Sequence, residues 1–475
     1  MALPRHYTSV VIGSGQAGTP LASALAKAGR TTALIERTHI GGCCVNEGCT
    51  PTKTLIASGR AAYLARRGAD YGIHTPGITV DMTKIRQRKR DIVSSFRGGS
   101  EKRTLAAGVD VLMGEASFKD KKTLSVKLDQ GGETIIVTAD EIFINAGERP
   151  AKPRLTGIET VPAERILDST SIQELDQLPE HLVVLGGGYV GLEFGQLFRR
   201  LGSAVTVIQR ASQVLPREDP DVAECALEIL RQDGITVHLN ATAERIEPSP
   251  QSPIVLTVRF KDGTNQTIPG SHLLSAAGRV PNTDSLNLAA AGISTTPNPH
   301  GPAHIACNPR LETSTPGIYV LGDIKGPPAF THISYDDFRI IRGNLIDHSS
   351  PPLTTANRLV PYVVYTDPQL GHVGLHEHEA RKQFPPGAIK VAKMPMAYAA
   401  RALETDETRG MMKAVVNAET SQILGFTCLG TEGGEVMSTV QTAMMGGVPW
   451  QKLRDAVWAH PAWAESLNNL WGFLE

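Results

Sequence analysis

Two glycine-rich turns, each set between an apolar strand and a helix, leave this chain few folds to adopt. Residues 7–12 (Tyr-Thr-Ser-Val-Val-Ile) are an apolar, β-branched run that ends in Gly13-Ser-Gly15-Gln-Ala-Gly18, passes through a helix-like stretch and resumes as Ala-Leu-Ile-Glu36. Strand, glycine turn, helix and a strand with an acid at its tip make a dinucleotide-binding unit. Gly13 permits the tight turn, Gly15 lets backbone approach a pyrophosphate at a helix N-terminus, Gly18 lets helix and strand pack closely, and Glu36 can accept from a ribose hydroxyl. A second copy follows at 181–210: a strand-like run, then Gly186-Gly-Gly188-Tyr189-Val-Gly191, a helix, and Ala-Val-Thr-Val-Ile-Gln209-Arg210. Two fingerprints imply two dinucleotides. At the second, Gln209 stands where an NAD-selective site carries a carboxylate, and Arg210 and Arg217 follow it. A carboxylate repels a 2′-phosphate and an arginine pairs with it, so the second site is expected to take NADPH.

Directly after the first unit comes Gly-Gly42-Cys43-Cys44-Val-Asn-Glu-Gly48-Cys49-Thr-Pro51-Thr-Lys53. A disulfide needs Cα atoms about 4.4–6.8 Å apart, whereas five residues of regular helix rise roughly 7.5 Å. Cys44 and Cys49 can therefore join only if the segment is distorted, and Gly48 and Pro51 supply the distortion. The bland alternative is two small buried hydrophobes. Six cysteines in 475 residues are no secreted disulfide framework, and in a reducing compartment a close pair is more often catalytic than structural. Cys225, Cys307 and Cys428 read as scattered singles.

The length exceeds one core and predicts two to four domains. A net charge of −1 implies neither nucleic acid nor an anionic membrane as partner, and the basic stretch at 84–103 reads as a solvated helix face. No apolar run reaches membrane-spanning length, and the first strand starts within a few residues of Met1, leaving no room for a signal peptide; a cytoplasmic protein is expected.

The expected fold class is α/β, with two Rossmann-like dinucleotide-binding domains and a C-terminal α+β domain. The first unit, residues 1–150, closes on a strand ending in Ala146-Gly147; a proline-bearing crossing leads to the second, residues 151–279, which ends on the similar phrase Ala-Ala-Gly278. Residues 280–354 return to the first domain and carry Gly322-Asp323 at the carboxyl end of a strand, where open α/β sheets bind ligands. From 355 to 475 the texture becomes antiparallel strands, then helices from residue 435. The last helix carries Leu467, Leu470, Trp471 and Leu474 at helical spacing, a stripe for core or interface.

These motifs in this order resemble the flavin-dependent pyridine nucleotide-disulfide oxidoreductases: glutathione reductase, dihydrolipoamide dehydrogenase, mercuric reductase and their relatives. The resemblance covers essentially the whole chain. It implies FAD on the first fingerprint, with Asp323 holding the ribityl chain and the backbone near Glu115 and Ala116 contacting adenine, and NADPH on the second, with Tyr189 shielding the flavin until nicotinamide arrives. Lys53 matches the family lysine beside flavin N5, and Glu193 its carboxylate partner. Ala-His460-Pro-Ala-Trp-Ala-Glu465 matches the family's His-Pro segment, in which the histidine is the acid/base, the glutamate orients it, and both serve the cysteines of the other subunit of a homodimer. Cys49 is then the thiolate facing flavin and Cys44 the interchange thiol, with a small disulfide as substrate. A thiolate beside flavin and a protonated histidine should have a depressed pKa.

Residues 330–339 (Phe-Thr-His-Ile-Ser-Tyr-Asp-Asp-Phe-Arg) and 465–470 (Glu-Ser-Leu-Asn-Asn-Leu) carry a likeness to the mercuric-reductase-like branch that includes the cupric reductase of reactive-chlorine resistance. A departure from true mercuric reductases is expected: the sequence reads Trp-Gly-Phe-Leu-Glu475 where they carry vicinal cysteines, an N-terminal metal-binding domain is not expected, and the His-Pro histidine they tend to lack is kept. Cys43 stands where the family usually has threonine and makes a vicinal pair that suits a soft metal, although a bystander thiol is the simpler account. A Cu(II) or Hg(II) reductase is the runner-up function. A dihydrolipoamide dehydrogenase is disfavoured by Gln209, Arg210 and Arg217, and a non-catalytic flavin-fold protein comes last.

Overall fold

The computed structural model describes residues 4–299 and 301–475. The chain divides into two compact units, one from Met1–Leu55, Thr83–Lys152 and Gly278–Arg358, the other from Ile56–Met82, Pro153–Ala277 and Leu359–Glu475. Residues 56–82 group with the second unit, which also holds the second nucleotide region and the C-terminal region.

In the first unit, strand Arg5–Ile12 pairs in parallel with Thr32–Glu36 on one side and Thr134–Ile144 on the other, and Ile318–Val320 extends the sheet. Side chains alternate along these strands. Val10, Ile12, Ala33 and Ile35 enter one core, Val11 and Leu34 the other. Both faces are thus covered, which is why the strands read as unbroken apolar runs rather than as an alternating pattern.

The second unit repeats this plan with parallel strands His181–Leu185, Ala204–Ile208 and His272–Ser275. Its C-terminal part is a five-stranded antiparallel sheet containing Tyr362–Val364, Met411–Asn417 and Ile423–Gly430, covered by helix Gly433–Met445. The apolar stripe at the C-terminus is core, with Leu467, Leu470 and Trp471 buried. It does not form one continuous helix: Ser466–Leu470 gives way to a 3-10 turn at Trp471–Phe473. Nor is the basic stretch only a solvated face. On helix Met82–Ala106, Lys89 is buried, Arg88 donates to the Thr54 carbonyl and Arg97 to Asn46 Oδ1. Among the described residues no helix is long and apolar enough to cross a membrane.

Candidate active site

The first glycine turn is closed by contacts that leave no room for a side chain. A Cβ on Gly13, whose φ is +97°, would lie 2.4 Å from the Asn145 carbonyl oxygen, and one on Gly18 would lie 2.0 Å from that of Gly13. Glu36 Oε2 accepts from Ser14 N (3.0 Å) and Ser14 Oγ (2.6 Å), while Oε1 accepts from Thr38 N (2.8 Å). The acid expected to meet a ribose is therefore also the clamp of the turn itself. Gly42, at φ +64°, brings the cysteine segment against this turn; a Cβ there would sit 2.5 Å from Gly15 Cα.

Asp323 follows strand Ile318–Val320 through the Gly322 turn. Buried Asp337 fixes that turn by accepting from Gly322 N (2.8 Å), Lys325 Nζ (2.8 Å) and Arg358 Nη1 (2.8 Å). The Asp323 carboxyl is pushed above the usual carboxylate range by burial, opposed by the charges of Arg279 and Lys325. It accepts no hydrogen bond from a described residue. Beside Gly147 and Gly278 the backbone faces open space; Asn282 Nδ2 holds the Ala146 carbonyl (2.8 Å), and Ala151 N donates to the Gly278 carbonyl (3.1 Å). An enclosed carboxylate with free acceptor sites next to bare backbone fits a polyhydroxyl chain linked to a pyrophosphate, as FAD supplies. Ala116 is buried in strand Asp110–Asp120, and Glu115 pairs at the surface with Arg37 (3.3 Å).

The cysteine segment breaks where its glycine predicts. Helix Gly42–Asn46 ends, and helix Cys49–Arg66 begins at Cys49. A Cβ on Gly48 would lie 3.2 Å from Cys44 Cα, so glycine allows the two turns to close up. Cys44 and Cys49 are thiols hydrogen-bonded to each other, with Thr331 Oγ1 3.2 Å from Cys49 Sγ and also in contact with Cys44. Thr331 opens helix Thr331–Leu345, so the sulfurs face a helix N-terminus, which favours a thiolate. The hydrogen bond of Cys44 to Cys49, reinforced by burial and the Cys49 charge, pushes the Cys44 thiol upward. Cys43 accepts instead from Arg279 Nη2 (3.6 Å), and burial pushes its thiol up while Arg279 draws it down. Lys53 lies one helical turn beyond Cys49, on the same face.

The second turn copies the first. A Cβ on Gly186 would meet the Ala276 carbonyl oxygen at 2.6 Å, one on Gly191 the Gly186 oxygen at 2.0 Å, and Gly188, before helix Tyr189–Leu201, opens to space. Buried Gln209 does for this turn what Glu36 does for the first: its Oε1 accepts from Gly187 N (3.0 Å), while its Nε2 donates to the Gln213 carbonyl (2.9 Å). The clamp survives without the charge. Arg210 and Arg217 are exposed beside it. Bare backbone at a helix N-terminus with no carboxylate fits an anionic dinucleotide. Tyr189 stacks on Tyr362 with centroids 5.9 Å apart, and Glu193, one turn further, is buried and accepts from Tyr365 N (2.8 Å). His460 Nδ1 lies 3.0 Å from both oxygens of Glu465. The histidine side chain is 64% exposed, leaving Nε2 on the outer side. These two residues belong to the second unit and the cysteines to the first.

Thr331, Asp337 and Arg279 carry no local signature. Thr331 and Asp337 fall in the phrase at 330–339, where a polar run opening a helix is the only hint.

The chain matches the family described as "Pyridine nucleotide-disulphide oxidoreductase" over residues 7–337 and that family's dimerisation domain over 360–470. It is 37% identical over 474 residues to the "Probable pyridine nucleotide-disulfide oxidoreductase RclA" of Escherichia coli (strain K12), covering 99% of each chain. It is 33% identical to a mercuric reductase of Lysinibacillus sphaericus, covering 98% of this chain and 82% of that one. Among solved structures, the "HOCl-induced flavoprotein disulfide reductase RclA from Escherichia coli" superposes with TM-score 0.86 at 36% identity over 98% of this chain and 99% of the other, and its Cu(II) complex with TM-score 0.87 and the same coverage. The glycine turns, the paired thiols and these matches agree: the chain belongs to the pyridine nucleotide-disulfide oxidoreductases, FAD-dependent enzymes that draw electrons from NAD(P)H, and it carries their dimerisation domain, which supports a homodimer.

Proposed function

We propose that the enzyme uses NADPH to reduce a small disulfide through the Cys44–Cys49 pair. The observation that carries this reading is the mutual hydrogen bond of the two thiols at the N-terminus of helix Thr331–Leu345. Gly13, Gly15, Gly18, Gly42, Gly147 and Asp323 would hold FAD, which would supply the two-electron link between nicotinamide and the pair. Lys53 and Glu193 orient the reacting groups. Cys44 gives its proton to the partner subunit's His460 and attacks the substrate disulfide. A mixed disulfide forms, and the first leaving thiolate takes the proton back. The Cys49 thiolate then displaces the second thiolate, which is protonated from solvent, and the Cys44–Cys49 disulfide closes. Two electrons have passed from the dithiol to the substrate. Because Cys44 holds its proton tightly, a base is needed, and Glu465 keeps the His460 imidazole oriented for that task.

NADPH is preferred over NADH because Gln209 adds no charge while Arg210 and Arg217 do. Contacts to a phosphate contribute about 1.5–3 kcal/mol, so kcat/KM should favour NADPH by roughly ten-fold or more. A second reading, reduction of Cu(II), is favoured by the likeness to a protein solved as a Cu(II) complex. One screen decides: NADPH oxidation by the holoenzyme with small disulfides, Cu(II) or Hg(II), in parent and His460→Ala. Disulfide turnover that falls by about 10²–10⁴ in the variant supports the first reading; metal-dependent turnover that is as fast in the variant, with no disulfide turnover in the parent, supports the second.

A further inference from the structure

A second group of ionisable side chains is buried in the same unit as the second glycine turn. Tyr362 donates its hydroxyl to Glu218 Oε1 (2.5 Å) and lies 3.2 Å from His376 Nε2. The phenol proton is committed to the carboxylate, so the imidazole is the donor in the second contact, with its proton on Nε2 and Nδ1 bare. That bare Nδ1 faces Glu218 Oε2 at 3.9 Å. Neither atom has a hydrogen-bond partner; the backbone N–H of Glu379, which faces the imidazole at the helix cap, donates to the His376 carbonyl (3.1 Å). Both residues are buried, Glu218 to 2% exposure. Two bare acceptors facing each other away from water are costly, and one proton between them, with a closure of about 1 Å, makes a normal hydrogen bond.

A metal ion is the other way to fill such a gap, and His372 would complete a Glu-His-His set. The geometry opposes it. His372 and His376 stack face to face, with centroids 3.8 Å apart and planes 12° apart, so no cation can lie in both ring planes at a bonding distance of about 2.0–2.1 Å. The His372 nitrogens are also engaged, by Thr427 Oγ1 (2.8 Å) and the Gly374 carbonyl (3.1 Å).

We propose that Glu218 Oε2 and His376 Nδ1 share one proton, and that through Tyr362 this proton sets how firmly Tyr189 is held at the second nucleotide site. The link is the Tyr362 ring, whose hydroxyl reads the Glu218 carboxyl and whose face carries Tyr189. With the proton present, Tyr362 bonds to a neutral carboxyl. Without it, the bond becomes charge-assisted and shorter, fixing Tyr362 and the ring stacked on it. Burial pushes Glu218 up to about 7, against the Tyr362 hydrogen bond and the charge of Arg217 and with the charges of Asp219 and Glu379. Burial pushes His376 down, with the charges of His378 and Lys413 and against those of Asp219 and Glu379. The proton therefore stays on Glu218 until pH passes neutrality. Glu218, His376 and Tyr362 are positioning residues, and the effect on Tyr189 rests on its reading as the residue that yields to nicotinamide.

Glu218→Gln tests this, because a glutamine amide donates permanently to Nδ1. In the holoenzyme, the apparent Kd for NADH in rapid flavin reduction should rise several-fold across neutral pH in the parent and stay at its low-pH value in the variant. NADH is the probe because it has no 2′-phosphate to titrate. Thermal unfolding gives a readout that needs no turnover and so stands even if the proposed function fails. Since the folded-state pKa lies above the unfolded one, the Glu218 contribution to stability falls as pH rises from about 4.5 to about 7 and then levels. The variant should lose this dependence. Tyr362→Phe should keep the unfolding dependence, extended to higher pH because the hydrogen bond that lowers Glu218 is gone, and lose the nucleotide dependence, which also covers a Glu218→Gln chain that fails to fold. A nucleotide or an unfolding profile in Glu218→Gln that matches the parent overturns the proposal, as does a Tyr362→Phe nucleotide profile that matches the parent.

Discussion

At the scale of single residues, the division of labour between the two thiols comes from groups far apart in sequence. Cys49 begins a helix and shares Thr331, while the hydrogen bond to Cys49 and burial push the Cys44 thiol upward. Removing the Thr331 hydroxyl should therefore act on the thiolate. Thr331→Val, close in shape, takes away a hydrogen bond to a charged group worth about 1.5–3 kcal/mol, so the Cys49 thiol of the reduced enzyme should lose its proton about one pH unit or more higher. Alkylation rate against pH reads this; an unchanged midpoint would show that the hydroxyl does not bear on the thiolate. Cys44, Cys49, His460 and Glu465 were legible because each sits in a short phrase whose spacing carries chemistry. Thr331, Asp337 and Arg279 were not, since their value exists only once a strand end or helix start is folded against the cysteines or the Asp323 turn.

At the scale of elements, the glycines work by exclusion. Gly42 lets the cysteine helix rest on the first glycine turn, and any side chain there meets Gly15 backbone while forcing a left-handed conformation on a residue with a Cβ. Gly42→Ala should lower stability by at least about 1–2 kcal/mol and reduce the FAD retained after gel filtration. A variant with full flavin content and an unchanged Tm would remove this contact from the argument. Both fingerprints could be read in advance because strand, turn and helix are contiguous. The final helix could not: its apolar spacing was right, but the chain tightens into a 3-10 turn after Leu470, where Leu474 forms a bridge with Ala392, and no local pattern announces that packing.

At the scale of the whole molecule, the outward-facing His460 held by Glu465 makes sense if each site is completed by a second copy carrying the matched dimerisation domain. Mixing Cys44→Ser and His460→Ala chains under exchange should then restore up to about a quarter of parental disulfide turnover, because half the dimers are mixed and each has one complete site. No recovery, with exchange verified, would argue that His460 acts within its own chain. The two nucleotide turns also teach something about change over time. Glu36 and Gln209 make the same bond to the backbone of their turns, 3.0 Å in each case, yet only one is charged. Gln209→Glu should keep the turn intact and shift kcat/KM away from NADPH by roughly ten-fold, measured against NADH; a preference that does not move would place the choice elsewhere. Coenzyme preference is then a detachable trait, one amide away from reversal, which a lineage can revise without ever passing through an unfolded ancestor.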